Sequence, residues 1–320
     1  LVGVKKNDEV IVPTLTFIAP VNAIKYNQAS PIFMDSDKFY NIDSKKTIEF
    51  IQNNTFFKKG FTYIKRTKKR ISAIIIVHVW GHAADIASLI KVCKKNNIKI
   101  IEDASESLGS VYKELKNKPH TGTIGTIGCL SFNGNKIITT SGGGMILTNS
   151  FSLAKKAKYL INQAKDDSIF FTHNEIGYNY RLTNLQAALG LAQFKKLSKI
   201  LNKKKKIQNI YREHLYNLKK VKLVEGPKYS NNNNWLNIIQ FDKKIELKNI
   251  IRIFEKQNIQ VRPIWKLNHT QKQYKKYETY KIKFAKKLIN TSLCIPSSFN
   301  LSTADMMRVI KCIKQISKEI

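Results

Sequence analysis

The sequence predicts an α/β fold in which a mainly parallel sheet is sandwiched by helices, with a smaller α+β unit after it. Two observations carry this. Short β-rich apolar runs alternate with segments that can form helices through the first half of the chain, the pattern of parallel strands joined by helical crossovers. The chain is also long enough, at 320 residues with 42% hydrophobic content, for one large core and a second, smaller one. The division is placed between residues 1–204 and 205–320.

The first strands are expected at 10–13 (Val-Ile-Val-Pro), 30–34, 73–79 (Ala-Ile-Ile-Ile-Val-His-Val) and 98–102 (Ile-Lys-Ile-Ile-Glu). Between the last two, residues 84–96 place Ile86, Leu89, Ile90 and Cys93 on a helical period after His82-Ala83-Ala84-Asp85, which completes a β-α-β unit. Residues 128–132 and 145–148 read as two further strands, joined by a polar, glycine-containing stretch. A long helix is expected over 183–218. Its first half, rich in small and apolar residues, should be buried, and its lysine-rich continuation should face water. In the second unit, strands at 236–241 and 259–261 flank a helix at 246–257, and 302–319 reads as a terminal helix. The run Asn231–Asn234 reads as a loop inside that unit.

Charge is the feature that points elsewhere. A formal net charge of +34 is the usual footprint of a nucleic-acid binder, and a non-catalytic binding protein is the alternative that it supports. Lysine is nevertheless spread through the chain together with abundant Asn and Ile. These residues share AT-rich codons, so genomic bias accounts for the excess without a polyanionic partner. No zinc, RRM or helix-turn-helix signature is present. Runs such as Lys203-Lys204-Lys205-Lys206 read as solvated surface that also attracts small anions. No apolar run reaches the roughly 18 residues of a membrane helix, and the start lacks the order of a signal peptide, so the chain reads as cytoplasmic. Cys93, Cys129, Cys294 and Cys312 are widely spaced, with no C-x-x-C pair, which argues against a metal site or a disulfide framework.

Ligands of open α/β sheets gather beyond the carboxyl ends of the strands. Three strand ends deliver polar groups there: Asp103 after 98–102, Ser131 and Lys136 after 128–132, and Trp80 with His82 after 73–79. A carboxylate and a lysine at neighbouring strand ends form the pair that a pyridoxal cofactor needs. The amine makes the Schiff base, and the carboxylate keeps the pyridine nitrogen protonated so that the ring accepts electrons.

Several ordered strings share one resemblance. Ile101-Glu-Asp-Ala-Ser-Glu-Ser-Leu-Gly-Ser110, Gly122-Thr-Ile-Gly-Thr-Ile-Gly-Cys-Leu-Ser-Phe-Asn-Gly-Asn-Lys136 and Thr139-Thr-Ser-Gly-Gly-Gly-Met145 resemble the core of the DegT/DnrJ/EryC1/StrS sugar aminotransferases. So do Gly3 to Phe17, Pro31-Ile-Phe-Met-Asp35 and Gly177-Tyr-Asn-Tyr-Arg-Leu-Thr-Asn-Leu-Gln-Ala-Ala188, so the likeness covers nearly the whole chain. It implies the aspartate aminotransferase-like fold of pyridoxal-phosphate (PLP) transferases, with pyridoxal 5'-phosphate as cofactor. By the same resemblance, Lys136 is the Schiff-base lysine and proton carrier, Asp103 the partner of the ring nitrogen, and Ser131 a donor to the phosphate. Phe17 lies against the ring, and Glu106 takes a position near it. Asn179 and Arg181 match residues that reach into the partner subunit's site, which implies a homodimer with shared active sites. The family also contains dehydratases with histidine at the Schiff-base position; Lys136 favours amination.

Val77-His-Val-Trp-Gly-His82 and Arg262-Pro-Ile-Trp-Lys-Leu-Asn-His269 most resemble the branch that aminates UDP-linked 4-keto-6-deoxy-N-acetylhexosamines, of the bacillosamine and legionaminic-acid type. That places Trp80, His82, Arg262, Trp265 and His269 near a nucleotide-sugar substrate, with L-glutamate as amino donor. GDP-linked 4-keto-6-deoxymannose, giving perosamine, is the competing substrate. Family members carry a Ser-Gly-Thr-Ala-Ala-Leu-like turn upstream of the segment matching Gly3 to Glu9. None precedes Val10, so the chain is expected to be N-terminally truncated.

Overall fold

The computed structural model describes residues 1–167 and 169–319. Among these, nine strands form one sheet. Its main path runs Thr279–Tyr280, Ser30–Met34, Glu9–Pro13, Arg70–Val77, Lys99–Asp103, Ile127–Ser131 and Gly144–Leu147. Every neighbouring pair on that path is parallel except the last, where Gly144–Leu147 returns antiparallel. The hairpin Thr55–Lys58 with Phe61–Ile64 joins the start of Arg70–Val77.

The inner strands are mostly apolar, as expected where both faces are covered, while the last strand, Gly144–Leu147, is largely exposed. Side chains alternate between the two faces, so consecutive residues enter different cores. Val10, Val12, Ala73, Ile75 and Val77 pack in one buried cluster, and Ile11, Ile74 and Ile76 pack in the other. The crossover helix Ile86–Lys95 begins at Asp85, whose side chain accepts from the Ser88 N–H and caps it.

A second sheet of four antiparallel strands runs Val221–Leu223, Asn237–Phe241, Ser292–Ile295 and Arg262–Pro263. The helices Leu197–Leu215, Leu247–Lys256 and Thr303–Glu319 cover it through a third cluster that includes Tyr211, Phe241, Phe254 and Ile313. Leu197–Leu215 carries the chain unbroken across residues 204 and 205.

Four expectations need correction. The strand expected at 73–79 ends at Val77 and turns at Val79–Gly81, with Trp80 at φ 56° and Gly81 at φ 89°. Residues 259–261 are not a strand; the ladder starts at Arg262. The helix expected over 183–218 is two, Asn184–Phe194 and Leu197–Leu215, and their burial is the reverse of that expected. Asn184–Phe194 has no buried residue, whereas Leu197–Leu215 buries Ile200, Lys204, Ile207, Tyr211 and Leu215. The spacing of these positions makes one continuous helical face, which the surrounding lysines mask when composition alone is read. The last correction concerns the asparagine run. Ser230–Asn231 pairs with Val111–Tyr112, and Asn233 is buried against the segment that follows Asp103.

Candidate active site

In the ladder, Val77 is paired with Asp103, and Asp103 with Cys129, so three strand ends meet in one row. The Asp103 carboxylate accepts from the Ser105 N–H at 3.1 Å. It lines a cavity of about 430 Å³ whose other walls include Val10, Ile24, Ile75 and Ile101. Three residues on, Glu106 is buried and accepts from the Trp80 N–H at 2.7 Å. Burial pushes its carboxyl up to about 8, against the pull of Lys136 and the Trp80 N–H; the Asp103 charge adds to the rise.

Lys136 sits in the turn after Ile127–Ser131, where its N–H donates to the Asn133 carbonyl at 3.1 Å. Its side chain is only 14% exposed, with Nζ 3.9 Å from Glu106 Oε1 and 4.5 Å from the centre of the Trp235 ring. Ser131 ends the strand beside it, with Oγ accepting from the Asn133 N–H at 3.4 Å. An amine, a carboxyl and a hydroxyl thus come from adjacent strand ends.

Aromatic rings extend from this cluster. Phe17 meets Trp265 edge-on at 6.2 Å, Trp265 lies 5.4 Å from Trp80, and Trp80 lies 4.9 Å from Tyr40. His82 is buried in the same turn as Trp80, and burial pushes its ring down to about 4, so it is neutral at physiological pH. Among the described residues, its Nδ1 and the indole N–H of Trp80 have no hydrogen-bond partner. His269 Nδ1 is 2.6 Å from Thr14 Oγ1, and burial lowers its pKa. Arg262 is exposed, in register with Cys294.

Asn179 and Arg181 do not join this cluster by hydrogen bonds within the chain. Asn179 bridges to Asn162, and Arg181 Nη1 donates to Asn162 Oδ1 at 3.3 Å; both are exposed. Among the described residues, no group of three or more His, Cys, Asp or Glu is placed to hold a metal ion. Nor is any helix long and apolar enough to cross a membrane.

Sequence reasoning missed the bracing of the site. Glu102 is buried and accepts from His78 Nε2 at 3.0 Å and from the N–H groups of Gly122, Ile124 and Gly125. The Ala84 N–H donates to His78 Nδ1, so Nε2 carries the ring proton and is the donor to Glu102. Burial raises the Glu102 pKa, yet His78 and these N–H groups hold it below the usual carboxylate range. Asn233 donates to the carbonyls of Glu106 and Leu108. Trp235 lies under Lys136, and buried Lys204 donates to the Trp235 and Ser297 carbonyls at 2.7 and 2.5 Å. A tryptophan directly after an asparagine run was the available signal for this part.

The profile of the DegT/DnrJ/EryC1/StrS aminotransferase family matches residues 1–314. EpsN of Bacillus subtilis, described as a candidate pyridoxal phosphate-dependent aminotransferase, is 33% identical over 318 residues, which span 98% of this chain and 78% of that protein. A GDP-perosamine synthase of Escherichia coli O157:H7 is 33% identical over 314 residues, spanning 98% and 80%. Among solved structures, PseC of Helicobacter pylori, an aminotransferase involved in the biosynthesis of pseudoaminic acid, has the same fold, with a TM-score of 0.87 at 23% identity over 98% of this chain and 81% of that one.

Proposed function

The chain belongs to the DegT/DnrJ/EryC1/StrS aminotransferase family, and from that premise we propose that it aminates a nucleotide-linked 4-keto-6-deoxy sugar, with pyridoxal 5'-phosphate as cofactor and L-glutamate as amino donor. The observation that carries this is the inward-held Lys136, 3.9 Å from Glu106 and one strand end away from Asp103. These residues fit the cofactor chemically: an amine for its aldehyde, a carboxylate for its ring nitrogen, and hydroxyl Ser131 for its phosphate. The buried indole N–H of Trp80 has no hydrogen-bond partner among the described residues, the kind of exception that a polar site can hold. When bound, pyridoxal phosphate supplies an electron sink for the carbon that loses and regains a proton.

The chain's own residues divide the remaining work. Lys136 would hold the cofactor by its amine and, as a free amine, could carry the proton on its Nζ. Asp103 holds the ring nitrogen protonated. Phe17 covers the ring, and the row through Trp265 and Trp80 excludes water. Glu106 carries a proton at neutral pH because it is buried, so it can exchange one with the neighbouring amine. Arg262, Trp265 and His269 would contact the nucleotide sugar, and the buried side chains of Trp80, packed against Trp265, and of neutral His82 would shape the layer behind it. Asn179 and Arg181 complete the site of a second copy, which makes the working form a homodimer. The cofactor-holding unit is assigned to residues 1–204 and the smaller one to 205–320, with the helix Leu197–Leu215 spanning that division and Thr279–Tyr280 returning to the large sheet.

Two nucleotides compete. The strings 77–82 and 262–269 support a UDP-linked N-acetylhexosamine, and the likeness to a GDP-perosamine synthase over 98% of this chain supports a GDP-linked sugar. Purified protein loaded with pyridoxal phosphate should absorb near the visible. Borohydride should bleach that band and leave the cofactor on the Lys136 peptide. Glutamate with UDP- and GDP-linked 4-keto sugars should then give the amino sugar from one of the two, read by mass spectrometry. Cofactor fixed elsewhere, or turnover of neither sugar, would sink the proposal.

A further inference from the structure

Trp235 is held from three sides. Its backbone N–H donates to Asn233 Oδ1 at 2.8 Å, and its carbonyl accepts from the buried Lys204 ammonium at 2.7 Å. Its indole N–H donates to the Asn135 carbonyl at 2.7 Å, across 100 residues of sequence. Asn233 is itself fixed by donation to the carbonyls of Glu106 and Leu108. A ring tied at backbone and edge has little freedom to turn, and its face lies 4.5 Å from Lys136 Nζ. The indole face is the best aromatic surface for a cation.

We propose that Trp235 is a positioning residue for Lys136: its face and Glu106 cradle the free amine, while its N–H pins the backbone just before it. The inference rests on the reading of Lys136 as the cofactor's attachment amine. A free lysine side chain has four rotatable bonds and would otherwise sample several rotamers within the site. The cradle keeps the amine on the Glu106 side in the interval when it must move a proton, and the indole makes no contact with substrate to do so. The Lys204 and Asn233 bonds explain why a residue from the second sheet's side of the chain stays in register with the first.

The test uses the reactivity of Lys136 in the cofactor-free protein, read on its peptide by mass spectrometry after brief acetylation. Removing a desolvated cation–π contact should raise its labelling about two- to thirtyfold in Trp235→Leu. Trp235→Phe, which keeps a ring but loses the N–H, should fall between Leu and wild type. In the loaded enzyme, kcat should drop in the same order, with KM for the nucleotide sugar within about twofold, as expected when only the amine is misplaced. Equal labelling of Lys136 in all three proteins would overturn the proposal, as would kcat losses matched by a rise in KM. Should the Leu variant not fold, Phe decides: labelling no higher than wild type overturns the inference. Borohydride fixation of cofactor on wild-type Lys136 separates the two readings. With it, a null result sinks only the role of Trp235; without it, both fall.

Discussion

Lys136 and Glu106 stand 3.9 Å apart in a nearly closed site, and their environments dictate opposite consequences of removing them. Lys136 adds little to the core, so Lys136→Ala should keep the fold and lose stability by no more than about 1 kcal/mol, with an unchanged far-ultraviolet circular dichroism spectrum. Amine transfer should fall on the order of a thousandfold or more, because both the attachment point and the proton carrier are gone. Retained turnover would remove Lys136 from the chemistry. Glu106 behaves differently because burial is the largest influence on it. Its carboxyl has a pKa of about 8 in the folded chain against 4.5 when exposed, so the folded state binds the proton more tightly. That contribution is complete below about pH 4.5 and is lost as pH rises through about 8. Glu106→Gln has no proton to lose and can still accept from the Trp80 N–H. Its melting temperature relative to wild type should therefore rise between about pH 5 and 8 and level off above, in the cofactor-free chain. A difference that does not change with pH would show that the carboxyl is not buried as described. The placement of Asp103, Lys136 and Trp80 at or just beyond neighbouring strand ends was readable in the sequence, because the apolar runs before them mark where the strands stop. Trp235 and Asn233 were not, because their bonds to the site span 100 and 127 residues of sequence and only folding brings them there.

Secondary-structure elements position these groups through close backbone contacts, and Gly81 is the tightest of them. It has φ 89°, and a Cβ built on it would overlap the Asn233 side chain, the same amide that holds Glu106 and Trp235 in place. Gly81→Ala should cost roughly 2 kcal/mol or more in urea unfolding and also lower kcat, since relief requires Asn233 to move. A variant as stable and active as wild type would show that the turn and the asparagine run are not coupled. The legibility of elements followed their physics. Strands that cross a covered sheet carry short apolar runs, and Ser30–Met34, Lys99–Asp103 and Ile127–Ser131 lie within a residue of their expected places. Two-residue ladders such as Thr279–Tyr280 carry no periodic signal and were missed. The hairpin Thr55–Lys58 with Phe61–Ile64 was missed too, because its strands are short and partly exposed. Leu197–Leu215 shows the limit of composition: Lys204 sits on its buried face, satisfied by two carbonyls, and burial pushes its pKa down to about 8.

At the scale of the molecule, the reversed burial of the two helices bears on assembly. Asn184–Phe194 leaves Leu185 84%, Leu191 66% and Phe194 61% exposed, next in sequence to the segment carrying Asn179 and Arg181. The segment before it adds Phe170 at 81% and Ile176 at 88%. Apolar surface of this extent on one stretch marks an association site. Composition alone sees a sequence that ought to be buried and cannot say what would cover it. A symmetric pair of copies would cover it and carry Asn179 and Arg181 to the neighbour's Lys136. The expected species in solution is therefore a dimer by light scattering. The sharper test is complementation. Lys136→Ala lacks the amine but keeps the reaching segment, and the double variant Asn179→Ala with Arg181→Ala lacks the segment but keeps the amine. Each should be inactive alone. Mixed in equal amounts and allowed to exchange subunits, they should recover up to about a quarter of wild-type activity, since half of the dimers are mixed and each has one intact site. With mixed dimers confirmed by differently tagged chains, zero recovery would mean that each site is built from a single chain, and the apolar stretch 169–194 would need another explanation.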